Sequence, residues 1–142
     1  HKKKNLEYHG QLHRFYNYVN GLKHGKYTAY GPSGYLYEKC DYLNDKKHGE
    51  YNRYYDNEQL GEICYYVDGK LEGEYKKYWN SVENKIKILG QFVNGKLHGY
   101  FRDYDFNGNI IKEYIFDNGK ILNADNDYRI LYEKYLIIHG FI

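Results

Sequence analysis

The sequence predicts an all-β protein, an elongated single-layer antiparallel sheet of stacked β-hairpin repeats. The first observation is one eight-residue phrase that occurs four times, as NGLKHGKY from residue 20, NDKKHGEY from 44, DGKLEGEY from 68 and NGKLHGYF from 94. The second is the Asn-Gly-type pair that opens each phrase, which suits a two-residue hairpin turn between strands. The third is the presence of 21 tyrosines, whose rings can bury apolar surface by lying across neighbouring strands.

The phrases divide the chain into repeats. They follow one another at spacings of 24, 24 and 26 residues, and an Asn-Gly pair at 118 and 119 opens a fifth copy. A fixed period of this size indicates units that bury their faces only by stacking on their neighbours. We predict an N-terminal segment with a trailing half-repeat at 1–19, repeats at 20–43, 44–67, 68–93 and 94–117, and a divergent C-terminal cap at 118–142.

Each repeat contains a second strand and a second turn. The segments LYEKCDYL from residue 36 and LGEICYYV from 60 place Leu, Glu, Cys and Tyr at every other position, which predicts that they share one face. The connections GPSG from 31 and DNEQ from 56 have the composition of turns. The third repeat carries its two extra residues in this connection, where a surface loop tolerates them.

Three sets of repeated residues are candidates for structural or binding roles. One glycine per repeat marks either an unusual backbone angle or a close approach by the ring two residues later, and we interpret the pair as rings packed over glycines. These structural positions are Gly25, Gly49, Gly73 and Gly99, with Tyr27, Tyr51, Tyr75 and Phe101. Alternation places a second aromatic set on the opposite face, and these candidate binding residues are Tyr30, Tyr54, Tyr78 and Tyr104.

The C-terminal segment departs from the repeat. Candidate N-caps at Asp125 and Asp127 precede a stripe with helical spacing, Tyr128, Leu131, Tyr132 and Tyr135. We predict a short amphipathic helix that closes the open end of the sheet. The N-terminal half-repeat has less obvious shielding, so we expect its edge either to continue into a longer protein or to pair with a second copy.

Catalytic constellations are hard to find in this chain. It has two serines and one threonine, and it contains no nucleophile elbow and no phosphate-binding glycine loop. Equivalent residues of successive repeats lie two strands apart, about 9 to 10 Å, which is too far for one metal ion to join His24, His48 and His98. The same separation argues against a disulfide between Cys40 and Cys64. We therefore predict a protein that is not an enzyme and has no cofactor or metal.

Charge and cysteine usage limit location and partners. The net charge of +2 disfavours nucleic acid as a partner, and the run KKK at 2–4 is interpreted as a solvated end. No apolar run reaches the roughly 18 residues of a membrane span. Free, half-buried thiols predict an intracellular, reducing compartment. Cytoplasmic, membrane-peripheral and virion-associated locations stay open, and the abundance of Lys, Asn, Ile and Tyr is typical of an A+T-rich genome.

The repeated pattern resembles the MORN repeat in its variant form of about 24 residues. The residues that carry the resemblance are the Asn-Gly pair, the glycine four positions later, the aromatic two beyond it and the aromatic that precedes the next turn, as in GQFVNGKLHG from residue 90. It covers about residues 10–120 and departs from the better-known pattern, which has Gly-x-Gly where this chain has Gly-x-Tyr. The resemblance implies a scaffold or protein-interaction module, with some members credited with binding acidic phospholipids and others labelled as antitoxins. Variant repeats of this kind occur in bacteria and in large DNA viruses.

The functional hypothesis is a non-enzymatic scaffold that presents an extended aromatic-lined surface to a partner protein. A peripheral membrane module that binds acidic phospholipid and an antitoxin or immunity protein are the alternatives. Self-association through the open sheet edge is a further expectation.

Overall fold

A computed structural model describes residues 2–6, 12–122, 133, 134, 136–138 and 141. Within this part the chain forms one open antiparallel sheet. Its strands are β1 (Lys2–Leu6), β2 (His13–Val19), β3 (Leu22–Lys23), β4 (Gly25–Tyr30), β5 (Leu36–Leu43), β6 (Lys46–Tyr54), β7 (Leu60–Val67), β8 (Lys70–Leu71), β9 (Gly73–Tyr78), β10 (Ile86–Val93), β11 (Lys96–Tyr104), β12 (Ile110–Asp117) and β13 (Lys120–Ile121). The spatial order is β1-β2-β4-β5-β6-β7-β9-β10-β11-β12-β13, with β3 on β2 and β8 on β7. The prediction of an all-β, single-layer hairpin sheet is confirmed.

The Asn-Gly-type pairs form the predicted two-residue turns. At each of the five sites both residues have positive φ, for example 52° at Asn94 and 82° at Gly95. Two consecutive positive φ values define the turn whose twist matches the twist of paired strands. The pairs therefore set the register of each hairpin.

Successive turns are joined to one another along the same edge of the sheet. The second residue of a turn donates its backbone N–H to a carbonyl of the preceding repeat, at 2.9 Å from Asp45 to Lys23 and at 2.8 Å from Gly69 to Lys47. The later turns repeat this hydrogen bond. The repeats are thus connected at their ends as well as through their strands.

One face of the sheet, which we call the ring face, carries the buried aromatic core. Large rings oppose small residues across the strands, with Tyr27 opposite Cys40, Tyr51 opposite Cys64, and Gly90 between Tyr75 and Phe101. A Cβ on Gly90 would lie 3.1 Å from the Phe101 ring. Between Tyr27 and Phe101 the row therefore alternates in size, whereas at its two ends rings meet directly, with Tyr16 stacked on Tyr27 and Phe101 opposite Tyr114.

A second row of rings packs edge-on against the first. The ring before each turn makes a T-shaped contact with a ring of the first row, at centroid distances of 5.6 Å for Tyr27 and Tyr42 and 5.9 Å for Tyr51 and Tyr66. The third and fourth repeats have the same contact between Tyr75 and Phe92 and between Phe101 and Phe116. Edge-to-face geometry is favourable for aromatic pairs, so each repeat adds one such unit to the core.

The repeated glycines do not lie beneath these rings, and that interpretation is wrong. A Cβ added to Gly25, Gly49 or Gly73 would meet no atom within 4 Å. Their φ values are 86°, 90° and 86°, which L side chains rarely adopt. The glycine is required by the backbone conformation where the chain leaves the turn and enters the next strand.

The C-terminal segment covers part of the ring face instead of closing the end of the sheet. Residues 133, 134 and 136–138 are helical, and Leu136 is fully buried in the core. The Phe141 ring lies 5.3 Å from the Tyr75 ring and 5.6 Å from the Phe101 ring, on strands inside the sheet. The prediction that the helix closes the open end of the sheet is therefore wrong for these residues. The apolar ring face offers more surface to bury than an edge of the sheet does. Asp125, Asp127, Tyr128, Leu131, Tyr132 and Tyr135 lie outside the described residues.

Replacing Gly73 by Ala should lower the free energy of unfolding by about 1 to 2 kcal/mol, because the left-handed region is unfavourable for a residue with a Cβ. Urea denaturation would measure the change. Gly73→Asn is the matched control and should cost less, since Asn tolerates positive φ. Equal stability of the Ala variant and the unmodified protein would contradict the backbone explanation.

Candidate functional site

The face opposite the ring face, here called the second face, carries a line of tyrosines paired with aliphatic residues. The cross-strand pairs are Tyr30 with Leu36, Tyr54 with Leu60, Tyr78 with Ile86 and Tyr104 with Ile110. We call these eight residues the Tyr–Leu belt. One pair occurs in each repeat, so the pairs recur every two strands, about 9 to 10 Å apart.

Backbone bulges create this belt. In the first repeat Ala29 opposes Glu38 but Tyr30 opposes Leu36, so one extra residue lies between them on β5. The extra residue turns the Leu36 side chain away from the Glu38 face and onto that of Tyr30. The expectation that Leu36 shares a face with Glu38, Cys40 and Tyr42 is therefore wrong. Bulges in the later repeats have the same effect.

The belt is only partly covered by the rest of the protein. Its four tyrosines are half-buried, and Ile110 is 52% exposed. Phe15 extends the line at the N-terminal end through an edge-on contact with Tyr30, at a centroid distance of 5.9 Å. The second face therefore offers a continuous series of aromatic and aliphatic groups that solvent can reach.

Polar side chains share the second face with the belt. A groove of about 410 Å³ lies across β4, β5 and β6, with Lys26, Lys39, Asp41 and Glu50 among its lining residues. Further along, the Tyr100 hydroxyl is within 3.4 Å of Glu74 Oε2, and the Lys76 ammonium pairs with Glu74 at 3.0 Å. Mixed charges beside apolar groups are typical of a protein-binding surface with a polar rim.

The ring face contains a buried carboxylate that is bonded to tyrosines. Glu38, which is 7% exposed, accepts hydrogen bonds from the Tyr27 and Tyr51 hydroxyls, both at 2.5 Å. Arg14 Nη1 donates to the same carboxylate at 3.1 Å and to the Tyr27 hydroxyl oxygen at 2.7 Å. One carboxylate thereby joins four neighbouring strands, β2, β4, β5 and β6.

The next repeat has an equivalent cluster around Glu62. Its carboxylate accepts from the Tyr75 hydroxyl at 2.7 Å and from Arg53 at 3.4 Å. Both Glu38 and Glu62 therefore accept hydrogen bonds from an arginine and from tyrosine hydroxyls. Lys77 opposes Glu62 in the register without such a bond to it among the described contacts. Guanidinium groups suit a half-buried carboxylate because they are weakly hydrated and donate in a fixed geometry.

These glutamates belong to a row of alternating charge that crosses the ring face. Directly opposed residues, in order from β2 to β12, are Arg14, Ala29, Glu38, Arg53, Glu62, Lys77, Ile88, Asp103 and Lys112. Opposite charges on neighbouring strands attract, so the row stabilises the register. Burial lowers the pKa of Lys77 and raises the pKa of Asp103, both of which are half-buried.

Lysines lie over the rings of the first two repeats. Lys23 Nζ is 4.2 Å from the centre of the Tyr16 ring and 5.4 Å from that of Tyr42. Lys47 Nζ lies 4.9 and 5.2 Å from the rings of Tyr51 and Tyr66. Each ammonium group is attracted by the ring faces, while its aliphatic stem covers apolar surface.

In the second, third and fourth repeats the repeated histidine position holds the next turn in place. Its side chain accepts a hydrogen bond from a backbone N–H of that turn, and in the third repeat a glutamate takes the role. The pairs are His48 Nδ1 with Asp68 at 3.3 Å, Glu72 Oε2 with Asn94 at 2.7 Å, and His98 Nδ1 with Asn118 at 3.2 Å. The position thus supplies an acceptor in these three repeats, whereas Nδ1 of His24 in the first repeat is buried without a hydrogen-bond partner among the described residues. In the described part of the chain, no three His, Cys, Asp or Glu residues are grouped to hold a metal ion.

Both cysteines are buried, unbridged thiols. Burial raises the pKa of Cys40 to about 11 and that of Cys64 to about 12. A reactive cysteine needs a lowered pKa and access to solvent, so these two groups have the properties of packing residues.

Comparisons with known proteins identify no family. No protein-family model matches the chain, and no curated protein sequence matches it significantly. Two crystal structures of TarM, one of them an S. aureus mutant in complex with Fondaparinux, alpha-GlcNAc-glycerol and UDP, align with a TM-score of 0.37 and 20% identity. The alignment covers 95% of this chain and 23% of the TarM chain. A likeness at this level carries no conclusion about function.

Helices capable of crossing a membrane are absent from the described residues.

Sequence reasoning missed two features of these surfaces. The aliphatic half of the belt and the arginine partners of the glutamates both depend on which residues face each other across strands. The repeat does contain a signal for the charged row, since Ala29, Arg53, Lys77 and Asp103 occupy one repeat position and Glu38 and Glu62 another. Aligning these positions as opposed pairs would have suggested the ion pairs.

Replacing Glu38 by Ala should destabilise the protein by about 3 to 5 kcal/mol, because it removes the acceptor of two buried tyrosine hydroxyls and the carboxylate that pairs with Arg14. Thermal or urea denaturation would measure the loss. Lys39→Ala, at the exposed neighbouring position, should change stability by less than about 0.5 kcal/mol. A small effect at Glu38, comparable with that at Lys39, would contradict the proposed role of the carboxylate.

The core tyrosines should make the protein sensitive to alkaline pH. Burial and the neighbouring carboxylates raise the pKa of Tyr27, Tyr51 and Tyr75 well above their ordinary value of 10.0. Above that value the unfolded chain loses protons that the folded chain retains, so stability should fall as pH rises.

A spectrophotometric tyrosine titration, recorded with circular dichroism, would test this. Exposed tyrosines should ionise first, and the core set only together with loss of the sheet signal. Ionisation of every tyrosine in one phase while the sheet stays folded would show that the hydroxyls are not held as described.

Proposed function

We propose that this protein is a non-enzymatic repeat scaffold whose Tyr–Leu belt binds a partner protein. The observation that carries the proposal is the recurrence of a half-exposed tyrosine beside an aliphatic residue in each of four repeats. Tyrosine is favoured at protein interfaces because its ring supplies a large contact area while its hydroxyl remains hydrated.

The repeat geometry supports an extended partner surface. Four equivalent anchor pairs at intervals of about 9 to 10 Å cover a line of roughly 30 Å. Each pair contributes modestly, and several pairs engaged at once raise the overall affinity, since later contacts form at high effective concentration. A partner with a matching series of apolar groups would therefore bind better than one with a single such group.

The ring face is less suited to this role. Its carboxylates are already bonded by tyrosines and arginines, and its rings are covered by lysines or by the C-terminal segment. These side chains are used by the fold itself, which also favours a scaffold over an enzyme.

The family and the compartment are part of the proposal. The resemblance to variant MORN repeats rests on the repeated turn, glycine and aromatic positions, and a hairpin sheet agrees with it. Buried, unpaired thiols favour a reducing intracellular compartment.

The double variant Tyr54→Ser and Tyr78→Ser should stay folded and lose its partner. Loss of two anchor rings should weaken binding by about 2 kcal/mol or more. The measurement is affinity capture from native host extract with nuclease and detergent present, read by quantitative mass spectrometry, with circular dichroism as the check on folding.

Tyr65→Ser is the matched control, since Tyr65 is 44% exposed on the second face but lies outside the belt. One protein retained by the unmodified chain and by this control, but lost from the double variant, would support the belt. Equal retention by the double variant would contradict it. Binding only to vesicles of acidic lipid in a flotation assay would favour the membrane alternative.

A further inference from the structure

One repeat position changes its chemistry along the ring face. It holds lysine in the first two repeats and an aliphatic residue afterwards, and its members are Lys23, Lys47, Leu71, Leu97 and Ile121. The lysines lie over ring faces, whereas Leu97 is fully buried and Ile121 is 6% exposed. At this repeat position the ring face is therefore covered by its own lysine side chains in the first two repeats and is apolar in the later ones.

The apolar end is the part that the C-terminal segment occupies. Leu136 joins the core cluster that contains Leu97, and Phe141 packs edge-on against Tyr75 and Phe101. A backbone hydrogen bond from Phe141 N–H to the Leu136 carbonyl, at 2.8 Å, sets the spacing of these two side chains. The switch from lysine to leucine therefore coincides with the presence of this cover.

The contact has the form of a ligand in a binding site. Two inward side chains, Leu136 and Phe141, enter the apolar surface, while Ile137 and Ile138 are 61% and 78% exposed. A helix that lays a few apolar anchors into a groove is a recurrent mode of peptide recognition. The segment thus places an aliphatic group, Leu136, in the core five residues before an aromatic ring, Phe141, that packs on Tyr75 and Phe101.

We propose that this apolar end of the ring face is a peptide-docking site, which the chain's own C-terminal segment occupies and which a linear segment of the same chemistry can enter in its place. The site is separate from the Tyr–Leu belt, on the opposite face, and does not depend on the function proposed there. The tethered segment competes at high effective concentration, so an outside peptide binds well only when the internal contact is weakened.

The test uses the full chain and a fluorescein-labelled peptide with the sequence of residues 133–142, EKYLIIHGFI. Fluorescence anisotropy measures its binding to the unmodified protein and to the Phe141→Ala variant. We expect the variant to bind the peptide at least tenfold more tightly, because its own segment has lost the aromatic anchor and leaves the site more readily. Ile138→Ala, which alters an exposed side chain of the same segment, should bind like the unmodified protein.

Two further controls locate the site. A peptide with alanine in place of its Leu and Phe should bind neither protein. Leu71→Lys in the Phe141→Ala background copies the lysine of the first two repeats and should reduce peptide binding at least tenfold while the circular dichroism spectrum is retained. The proposal is overturned if Phe141→Ala binds the peptide no better than the unmodified protein, or if the alanine peptide binds equally well.

Discussion

Aromatic rings that lie across neighbouring strands carry the stability of this sheet. A single layer has no second sheet to cover its apolar side, so each ring must bury itself against the strands beside it. The row of Tyr27, Tyr51, Tyr75 and Phe101 does this by alternating with Cys40, Cys64 and Gly90, which leave room for the rings. The size of these small residues is therefore as important as the rings themselves.

The use of tyrosine brings polar chemistry into the core. A buried hydroxyl requires a partner, and Glu38 and Glu62 supply acceptors to three core tyrosines. The carboxylates in turn require cations, which Arg14 and Arg53 provide. Phe101 needs no such partner, and the repeat around it is covered by the apolar C-terminal segment. Along the sheet, the change from tyrosine to phenylalanine in the core thus accompanies the loss of glutamate–arginine pairs from the charged row and the change from lysine to the C-terminal segment as the cover.

The two faces follow from these requirements in different ways. The ring face is occupied by its own contacts, including lysines and the C-terminal segment, whereas the second face keeps a line of half-exposed tyrosines. A bulge in each repeat separates the core residues from the exposed ones. In the first two repeats it allows Glu38 and Glu62 to face the core, while the leucine two residues earlier faces the other side of the sheet. One short repeat thereby supplies both the side chains that hold the sheet together and the side chains that remain exposed.

The sequence by itself determined the hairpin turns, the antiparallel pairing and the aromatic core. Each of these depends on residues close together in the chain, namely the Asn-Gly pairs with their positive φ values and the two-residue alternation that follows. Only the tertiary structure decided the position of the bulges, the partners of Glu38 and Glu62 and the surface against which Leu136 and Phe141 pack. The bulges and the glutamate partners depend on which residues oppose each other across strands, where a shift of one residue moves a side chain to the other face. The packing of Leu136 and Phe141 depends on an apolar surface that exists only once the repeats have stacked.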